Sequence, residues 1–301
     1  MIKKKNLLPN SMIKESKSVM NIIIFVVLIV YFLSLLIPII WAVYTAFNDI
    51  EAYYDFYAFN GDFPTKLVID NFRVAFTQYE VQTISGTSYN FLEMTGISLI
   101  YTLGCAFFYT LTPTLVAYAA ARFKFKFSSV IYAFVIIAMA LPIVGSMPSE
   151  IKMLKQLNLF DSFFGMFILR MNFLSINFLI LYAQFEMIPM TYSEAAKVDG
   201  ASNFRIMTQV ILPQAISTIT TIFLLSFITF WNDYQIPRIY LPSYPTLAEG
   251  LFTFSLDTLP IVRDAPVKLA GFIGLTLPIV IVFGVLNKKL RINVATGGIK
   301  G

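Results

Sequence analysis

Long stretches without a formal charge dominate the sequence. No Asp, Glu, Lys or Arg occurs within 18–48, 94–121, 127–149, 206–232 or 269–287, and only Arg170 interrupts the apolar stretch 163–185. A helix of about 20 apolar residues is long enough to cross the hydrocarbon core of a bilayer. The pattern therefore predicts an all-α membrane protein with six transmembrane helices, at about 20–47, 95–121, 128–147, 163–185, 211–232 and 268–287.

The Lys and Arg residues are distributed unevenly over the segments that join these spans. Segment 1–19, the loops after the second and fourth spans, and segment 288–301 together hold 14 of the 22 basic residues. Basic residues concentrate on the cytoplasmic side of membrane proteins. We therefore expect a cytoplasmic basic N-terminus (1–19), a six-helix transmembrane domain (20–287) and a cytoplasmic tail (288–301), in the plasma (inner) membrane.

The composition narrows the chemistry that the chain can perform. It is 57% hydrophobic and 13% charged, with no histidine and a single cysteine, Cys105. Histidine is the commonest metal ligand and the usual general base near neutral pH, and one cysteine cannot form a metal cluster. We expect no catalytic residue, no metal and no cofactor. Most of the net charge of +5 follows from the topology, so no nucleic-acid partner is expected.

The predicted cytoplasmic loop between the fourth and fifth spans carries the most specific motif. Its defining residues, in order, are Glu194, Ala195, Ala196, Gly200, Leu212 and Pro213. Ser193 is expected to cap a short helix that holds Glu194 in its first turn, and Gly200 permits the left-handed backbone that ends such a helix. A second short helix fits residues 201–210. The loop 194–213, hereafter the elbow, is thus predicted to be two short helices joined at a glycine.

The motif resembles the EAA loop of the permeases of binding-protein-dependent ABC importers. That loop reads Glu-Ala-Ala, three residues, Gly, nine residues, Ile, one residue, Leu-Pro, and here only Val210 departs from it, in place of Ile. Further segments, in the same order along the chain, resemble the carbohydrate group of these permeases, typified by the second membrane subunit of the maltose transporter. They are 117–125, 157–162, 230–234 and 296–301.

The resemblance implies a type I ABC importer permease fold and a division of labour between subunits. Such a permease lies in membrane lipid and pairs with a homologous permease subunit, two cytoplasmic ATPase subunits and an extracellular or periplasmic solute-binding protein. The chain has no Gly-x-x-x-x-Gly-Lys-Ser/Thr phosphate loop, the usual cradle for ATP phosphates. It is therefore not expected to be an enzyme, and the resemblance assigns ATP hydrolysis to separate subunits. It also assigns coupling to the ATPase to the six motif residues of the elbow.

Candidates for the solute path are polar residues within the predicted spans. They are Arg170, Asn177, Thr221, Thr229 and Asn232. The last three lie with Thr218 within an arc of about 80° on one helix, where hydrogen bonding between helices is the simpler explanation and lining of the path is the alternative. Arg170 is either a functional charge inside a span or, if the fourth helix begins near Met171, a side chain that reaches the outer interface.

These observations predict a permease subunit of an ABC importer that takes up a sugar or oligosaccharide and forms half of the translocation pathway. An ABC permease for a polyol, glycerol phosphate or another non-sugar solute is the alternative. A secondary transporter is less favoured, because coupling normally needs ionisable groups near the midplane of the membrane. No carboxylate lies within any predicted span.

Overall fold

The structure, a computed structural model, describes residues 19–59, 61–77, 80–83, 85–123, 127–141, 145–256 and 264–297. Within these ranges, side chains are described from residue 21 to residue 284. Most of the predicted basic N-terminus (1–19) and the last residues of the predicted tail (288–301) lie outside the described residues. The same is true of Lys124 and Lys126 in the loop after the second predicted span.

The first third of the described chain contains two long helices, two short helices and a hairpin. The bounds are α1 Val19–Ala46, α2 Ile50–Tyr57, α3 Asp70–Thr77, β1 Glu80–Gln82, β2 Ser88–Asn90 and α4 Phe91–Arg122. The two strands pair antiparallel, with Glu80 opposite Asn90. α4 begins four residues before the predicted span because Asn90 and Glu93 form a capping box, in which each side chain accepts a hydrogen bond from the other's main-chain N–H (3.0 and 2.9 Å).

The rest of the described chain is helical. The bounds are α5 Ser128–Ala140, α6 Met147–Gln156, α7 Phe163–Arg170, α8 Ile176–Glu186, α9 Thr191–Val198, α10 Asn203–Arg205, a π-helical segment Ile206–Ile211, α11 Leu212–Trp231, α12 Gln235–Tyr240, α13 Leu247–Leu256 and α14 Ala265–Gly297.

Four helical stretches of the described chain are long and apolar enough to cross a membrane. They are Asn21–Ala46, Phe91–Arg122, Asn203–Trp231 and Ala265–Gly284. These stretches coincide with the first, second, fifth and sixth predicted spans. In the predicted third span the described helix, α5, has 13 residues and ends at Ala140, so length alone does not identify it as a span.

The fourth predicted span, 163–185, is divided into two helices. α7 ends at Arg170 and α8 begins at Ile176. Between them the Asn172 Oδ1 atom accepts a hydrogen bond from the Leu174 N–H (2.8 Å), which gives this backbone a local alternative to helical bonding. Ser175 then has an extended backbone, with φ −150° and ψ 164°. A single helix over 163–185 is therefore not what the sequence forms.

α4 lies at the centre of the fold and contacts α7, α8 and α11 along its length. Two clusters of buried apolar side chains hold these helices together. The first includes Tyr101, Phe227 and Trp231, and the second includes Phe178 and Phe185. The Trp231 Nε1–H also donates to a main-chain carbonyl of α14, 3.0 Å away. This packing sets the orientation of each helix about its own axis, and so determines which of its polar side chains face the interior of the bundle.

Candidate functional site

The two helices of the elbow meet at Gly200, as the sequence predicts. Gly200 has φ +77°. Its N–H donates to the Lys197 carbonyl (3.0 Å), and the Ala201 N–H donates to the Ala196 carbonyl (2.9 Å). These two bonds form a Schellman motif, which satisfies carbonyls at the end of a helix and needs a left-handed residue, usually glycine. The prediction that Gly200 ends the first helix is confirmed.

The expectation that Ser193 caps this helix is wrong. α9 begins at Thr191, so Ser193 lies inside its first turn, and Met190 at the N-cap makes no side-chain hydrogen bond. The Ser193 hydroxyl is buried and accepts a hydrogen bond from Arg122 instead (2.7 Å). The next residue, Glu194, is exposed. A serine at this position therefore faces the bundle and a carboxylate faces away from it.

The second helix of the elbow runs without a break into the fifth predicted span. The Ser202 Oγ accepts from the Arg205 N–H (3.3 Å) at the start of α10, and the helix widens to π geometry over Ile206–Ile211. Pro213 has no N–H, so the carbonyl four residues earlier loses its α-helical donor. Pro213 thus lies in the first turn of α11 and is exposed, while Leu212 is half-buried against the second apolar cluster.

The elbow exposes two large apolar side chains together with the charged side chains of Lys197, Asp199 and Arg205. Val198 is 88% exposed and Phe204 is 71% exposed, on either side of the turn at Gly200. Ala195, which follows Glu194, is exposed as well. Ala196 is half-buried against the second cluster. The elbow therefore exposes a small side chain, a carboxylate and two large apolar side chains.

A cavity of about 400 Å³ lies between α4, α7, α8, α11 and the start of α12. Three of the five predicted path residues line it: Arg170, Asn177 and Thr229. The cavity is also lined by residues that no sequence pattern singles out, among them Tyr109, Ser226, Phe230 and Asp233. A guanidinium, an amide, hydroxyls and aromatic rings together make a surface suited to a ligand rich in hydroxyl groups.

Arg170 is the last residue of α7, and no helix begins near Met171. Its guanidinium lies 5.1 Å from the centroid of the Phe230 ring, close enough for a cation–π interaction. Its Nε atom is buried without a hydrogen-bond partner. A second cavity, of about 250 Å³, also has Arg170 in its lining, together with Glu150 and Tyr240. Arg170 therefore lines two neighbouring cavities of the bundle.

Asp233 is the acidic residue in the lining of the larger cavity. Its Oδ1 atom accepts from the main-chain N–H groups of Gln235 and Ile236 (both 3.1 Å), at the start of α12. Its Oδ2 atom accepts from the Tyr101 hydroxyl (3.3 Å). Both oxygens are thus engaged in holding α12 and α4, and the described ion pairs do not include an Arg170–Asp233 pair.

Thr221 and Asn232 do not line this cavity. Thr221 donates to the Ser217 carbonyl (2.8 Å) and Asn232 to the Ile228 carbonyl (2.8 Å), both in their own helix. Thr229 also bonds its own helix, through the carbonyl four residues earlier (2.9 Å). In this polar stripe only Thr218 forms a described side-chain hydrogen bond to another helix, to Gln184 of α8 (3.3 Å). Hydrogen bonding between helices therefore accounts for one residue of the stripe.

The chemistry of the site is that of hydrogen bonding. Among the described residues, no group of three or more His, Cys, Asp or Glu side chains is arranged to hold a metal ion. Together, helices long enough to span a membrane and a partly open cavity between them, with polar and apolar lining residues, fit a membrane transport subunit.

Comparison with known proteins gives the family. Residues 113–291 match the profile of the family described as binding-protein-dependent transport system inner membrane component. The maltodextrin transport system permease protein MalD of Streptococcus pneumoniae is 30% identical over 249 residues, which cover 81% of this chain and 84% of MalD. The probable starch degradation products transport system permease protein AmyC of Thermoanaerobacterium thermosulfurigenes is 26% identical over 238 residues, 79% of this chain and 82% of AmyC.

A solved structure has the same fold. A chain in the crystal structure of a bacterial ABC transporter involved in the import of the acidic polysaccharide alginate superposes with a TM-score of 0.71, at 21% sequence identity, over 94% of this chain and 99% of that chain. The protein therefore belongs to the binding-protein-dependent transport system inner membrane component family and has the ABC importer permease fold.

Proposed function

We propose that the chain is the permease subunit of an ABC importer that takes up a sugar or oligosaccharide. The observation that carries this proposal is the convergence of Arg170, Asn177 and Thr229 with aromatic rings on one partly open cavity, in a chain whose relatives include permeases named for maltodextrin and for starch degradation products. These names favour a sugar over a polyol or glycerol phosphate. The subunit would supply half of the pathway, and a homologous permease subunit the other half.

The proposed topology has six spans with both termini in the cytoplasm. Four spans follow from the long apolar helices, the third includes α5, and the fourth consists of α8 with the short α7 at its outer end. The elbow and the tail (288–301) then lie on the cytoplasmic side, where two ATPase subunits would bind. A solute-binding protein would deliver the sugar from the opposite side. This division is supported by the family, whose description names both a binding protein and an inner membrane component.

The elbow is the proposed contact with an ATPase subunit. Its surface presents the exposed carboxylate of Glu194 next to exposed Ala195, flanked by Val198 and Phe204. Small side chains permit close approach of another surface, and the carboxylate can pair with a basic residue of the partner. Gly200 fixes the angle between the two helices through its left-handed backbone. ATP-driven closure would then reach the bundle as a rigid-body movement.

A charge reversal tests the contact. Glu194→Lys in the reconstituted transporter should leave membrane insertion and copurification of the permease pair measurable, and should abolish the stimulation of ATP hydrolysis by solute-loaded binding protein. Glu51→Lys, the same reversal of an exposed carboxylate on α2, is the matched control and should retain stimulation. Full stimulation in Glu194→Lys would refute the assignment of the elbow.

Cysteine labelling tests the path. Thr229→Cys lines the cavity and should react with a small charged thiol reagent more slowly when transported solute is present. Thr221→Cys, eight residues earlier on the same helix and outside the cavity, should show no such protection. The natural Cys105 is fully buried, so its contribution to labelling is small. Equal rates for Thr229→Cys with and without solute would argue against this cavity as part of the path.

A further inference from the structure

Arg122, the last residue of α4, is a buried cation without an acidic partner among the described residues. It is 7% exposed. The ion pairs found in the described part of the chain join Lys66 to Asp49 and Arg73 to Asp70. A buried charge is costly unless polar groups compensate for the lost water. The groups that contact the Arg122 guanidinium therefore indicate what this residue does.

Three main-chain carbonyls and one hydroxyl surround the guanidinium. Its Nη1 donates to the carbonyls of Ile188 (2.6 Å) and Phe185 (3.4 Å), and its Nη2 donates to the carbonyl of Pro189 (3.4 Å) and to the Ser193 Oγ (2.7 Å). These carbonyls lie at and just beyond the end of α8, where helical carbonyls lack donors and the helix dipole is negative. The Arg122 guanidinium from α4 thus supplies hydrogen-bond donors to carbonyls at the end of α8.

The same side chain joins three elements of the fold. It belongs to α4, it binds the end of α8, and through Ser193 it binds the first turn of α9. The planar guanidinium holds several acceptors in a fixed geometry, which a lysine ammonium does not. Ser193 is 8% exposed while Glu194 is exposed. The bond from Arg122 therefore determines which face of α9 points away from the bundle.

We propose that Arg122 is a positioning residue that locks α9 to the bundle, so that a displacement of the elbow moves the ends of α4 and α8 with it. The proposal rests on the docking of the elbow to an ATPase subunit proposed above, and it adds the place where the movement enters the bundle. α4 and α8 contribute Tyr109 and Asn177 to the cavity. One polar connection therefore links the elbow to two walls of the proposed path.

The test removes the bond to α9 and keeps the bonds to α8. Ser193→Ala in the complete reconstituted transporter should lower the ratio of solute-stimulated to basal ATP hydrolysis about tenfold, the size expected for a lost hydrogen bond to a charged group. A spin label on Val198→Cys, at an exposed site on the same helix, should become more mobile. Ser193→Thr keeps a hydroxyl and should restore both values. Thr191→Ala, an exposed hydroxyl in the same turn, is the matched control and should change neither.

Arg122→Lys extends the test, because one ammonium cannot satisfy all four acceptors. It should lower the same ratio at least as much as Ser193→Ala. If Ser193→Ala matches Thr191→Ala in both ratio and label mobility, the role of Arg122 is refuted. Glu194→Lys, measured in parallel, separates the two proposals. Loss of stimulation there with a normal ratio in Ser193→Ala refutes the Arg122 lock alone, whereas full stimulation in Glu194→Lys refutes the docking of the elbow on which the lock depends.

Discussion

Gly165 is a position where one added methyl group should have a large effect. It is buried in the first turn of α7, and a Cβ atom built on it would lie 2.1 Å from the Leu159 carbonyl oxygen. Ordinary contact begins at 3.4 Å, so Gly165→Ala requires a displacement of about 1.3 Å. The obstacle is main chain, which cannot rotate out of the way as the end of a side chain can.

The local hydrogen bonds set the size of this effect. The Ser162 hydroxyl donates to the same Leu159 carbonyl (2.8 Å) and accepts from the Gly165 N–H (3.0 Å). Moving the carbonyl or α7 breaks this pair, at about 1 kcal/mol for each bond. Overpacking typically costs a further 1–3 kcal/mol. We expect Gly165→Ala to lower the free energy of unfolding by about 3–5 kcal/mol, which corresponds to roughly 5–8 °C in melting temperature for a chain of 301 residues.

The same substitution at a site without neighbours provides the control. Gly96, in α4, is exposed, and its added Cβ would have no atom within 4 Å. Gly96→Ala should therefore stabilise α4 by about 0.5–1 kcal/mol, because glycine is entropically unfavourable inside a helix. The assay is thermal unfolding of the purified protein in detergent, followed by intrinsic fluorescence. A melting temperature for Gly165→Ala within 1 °C of the wild type would refute the reasoning.

Three further predictions concern other parts of the chain. Gly200→Ala meets no steric obstacle but retains φ +77°, so it should cost about 1 kcal/mol, seen as faster hydrogen exchange at the end of α9, whereas unchanged exchange would contradict this. The amide of Asn71 is buried and donates to the carbonyls of Ala46 (2.9 Å) and Asn48 (2.8 Å). Burial against two carbonyl oxygens should raise the pKa of the carboxyl in Asn71→Asp, so this variant should lose more melting temperature at pH 8, where the ionised carboxylate cannot donate, than at pH 5, and an equal loss at both pH values would refute this. Burial raises the pKa of Glu249 to about 7 from a usual 4.5, so the free energy of unfolding should fall by up to about 3 kcal/mol as the pH rises from about 5 to 7. Glu249→Gln should remove that pH dependence of the melting temperature.

The elbow and the long helices were accessible from the sequence because their signals are local. A charge-free run of sufficient length and a glycine after a short amphipathic helix each act within a few residues. The division of the fourth predicted span was not accessible in the same way. It depends on a hydrogen bond from the Leu174 N–H to Asn172 and on an extended Ser175, and an asparagine or serine inside an apolar stretch does not by itself say whether the helix continues.

The cavity shows the same limit at the level of tertiary structure. Thr221 and Thr229 lie on one polar stripe of the same helix, so helical periodicity alone does not distinguish them. Only packing separates them, because Arg170 and Asn177 come from other helices to meet Thr229. Asp233 lies in segment 230–234, which resembles a segment of the family. Its hydrogen bonds to the start of α12 and to Tyr101 are visible only in the structure, because Tyr101 is far away in the sequence. The role of Arg122 was not accessible from the sequence for the same reason, since its hydrogen-bond partners lie more than 60 residues away.

α1 is a long apolar helix that the rest of the subunit leaves largely uncovered. Most of its described side chains are exposed, and its hydropathy is the highest among the long helices. Near its end, Ala46 is buried and held by Asn71, whereas the half that begins at Asn21 is largely uncovered by the rest of the chain. The position of that half is therefore determined by whatever surrounds it, lipid or a neighbouring subunit. A subunit synthesised in excess of its partners would carry this uncovered helix as a mark of incomplete assembly, available to the proteases that remove orphan membrane proteins.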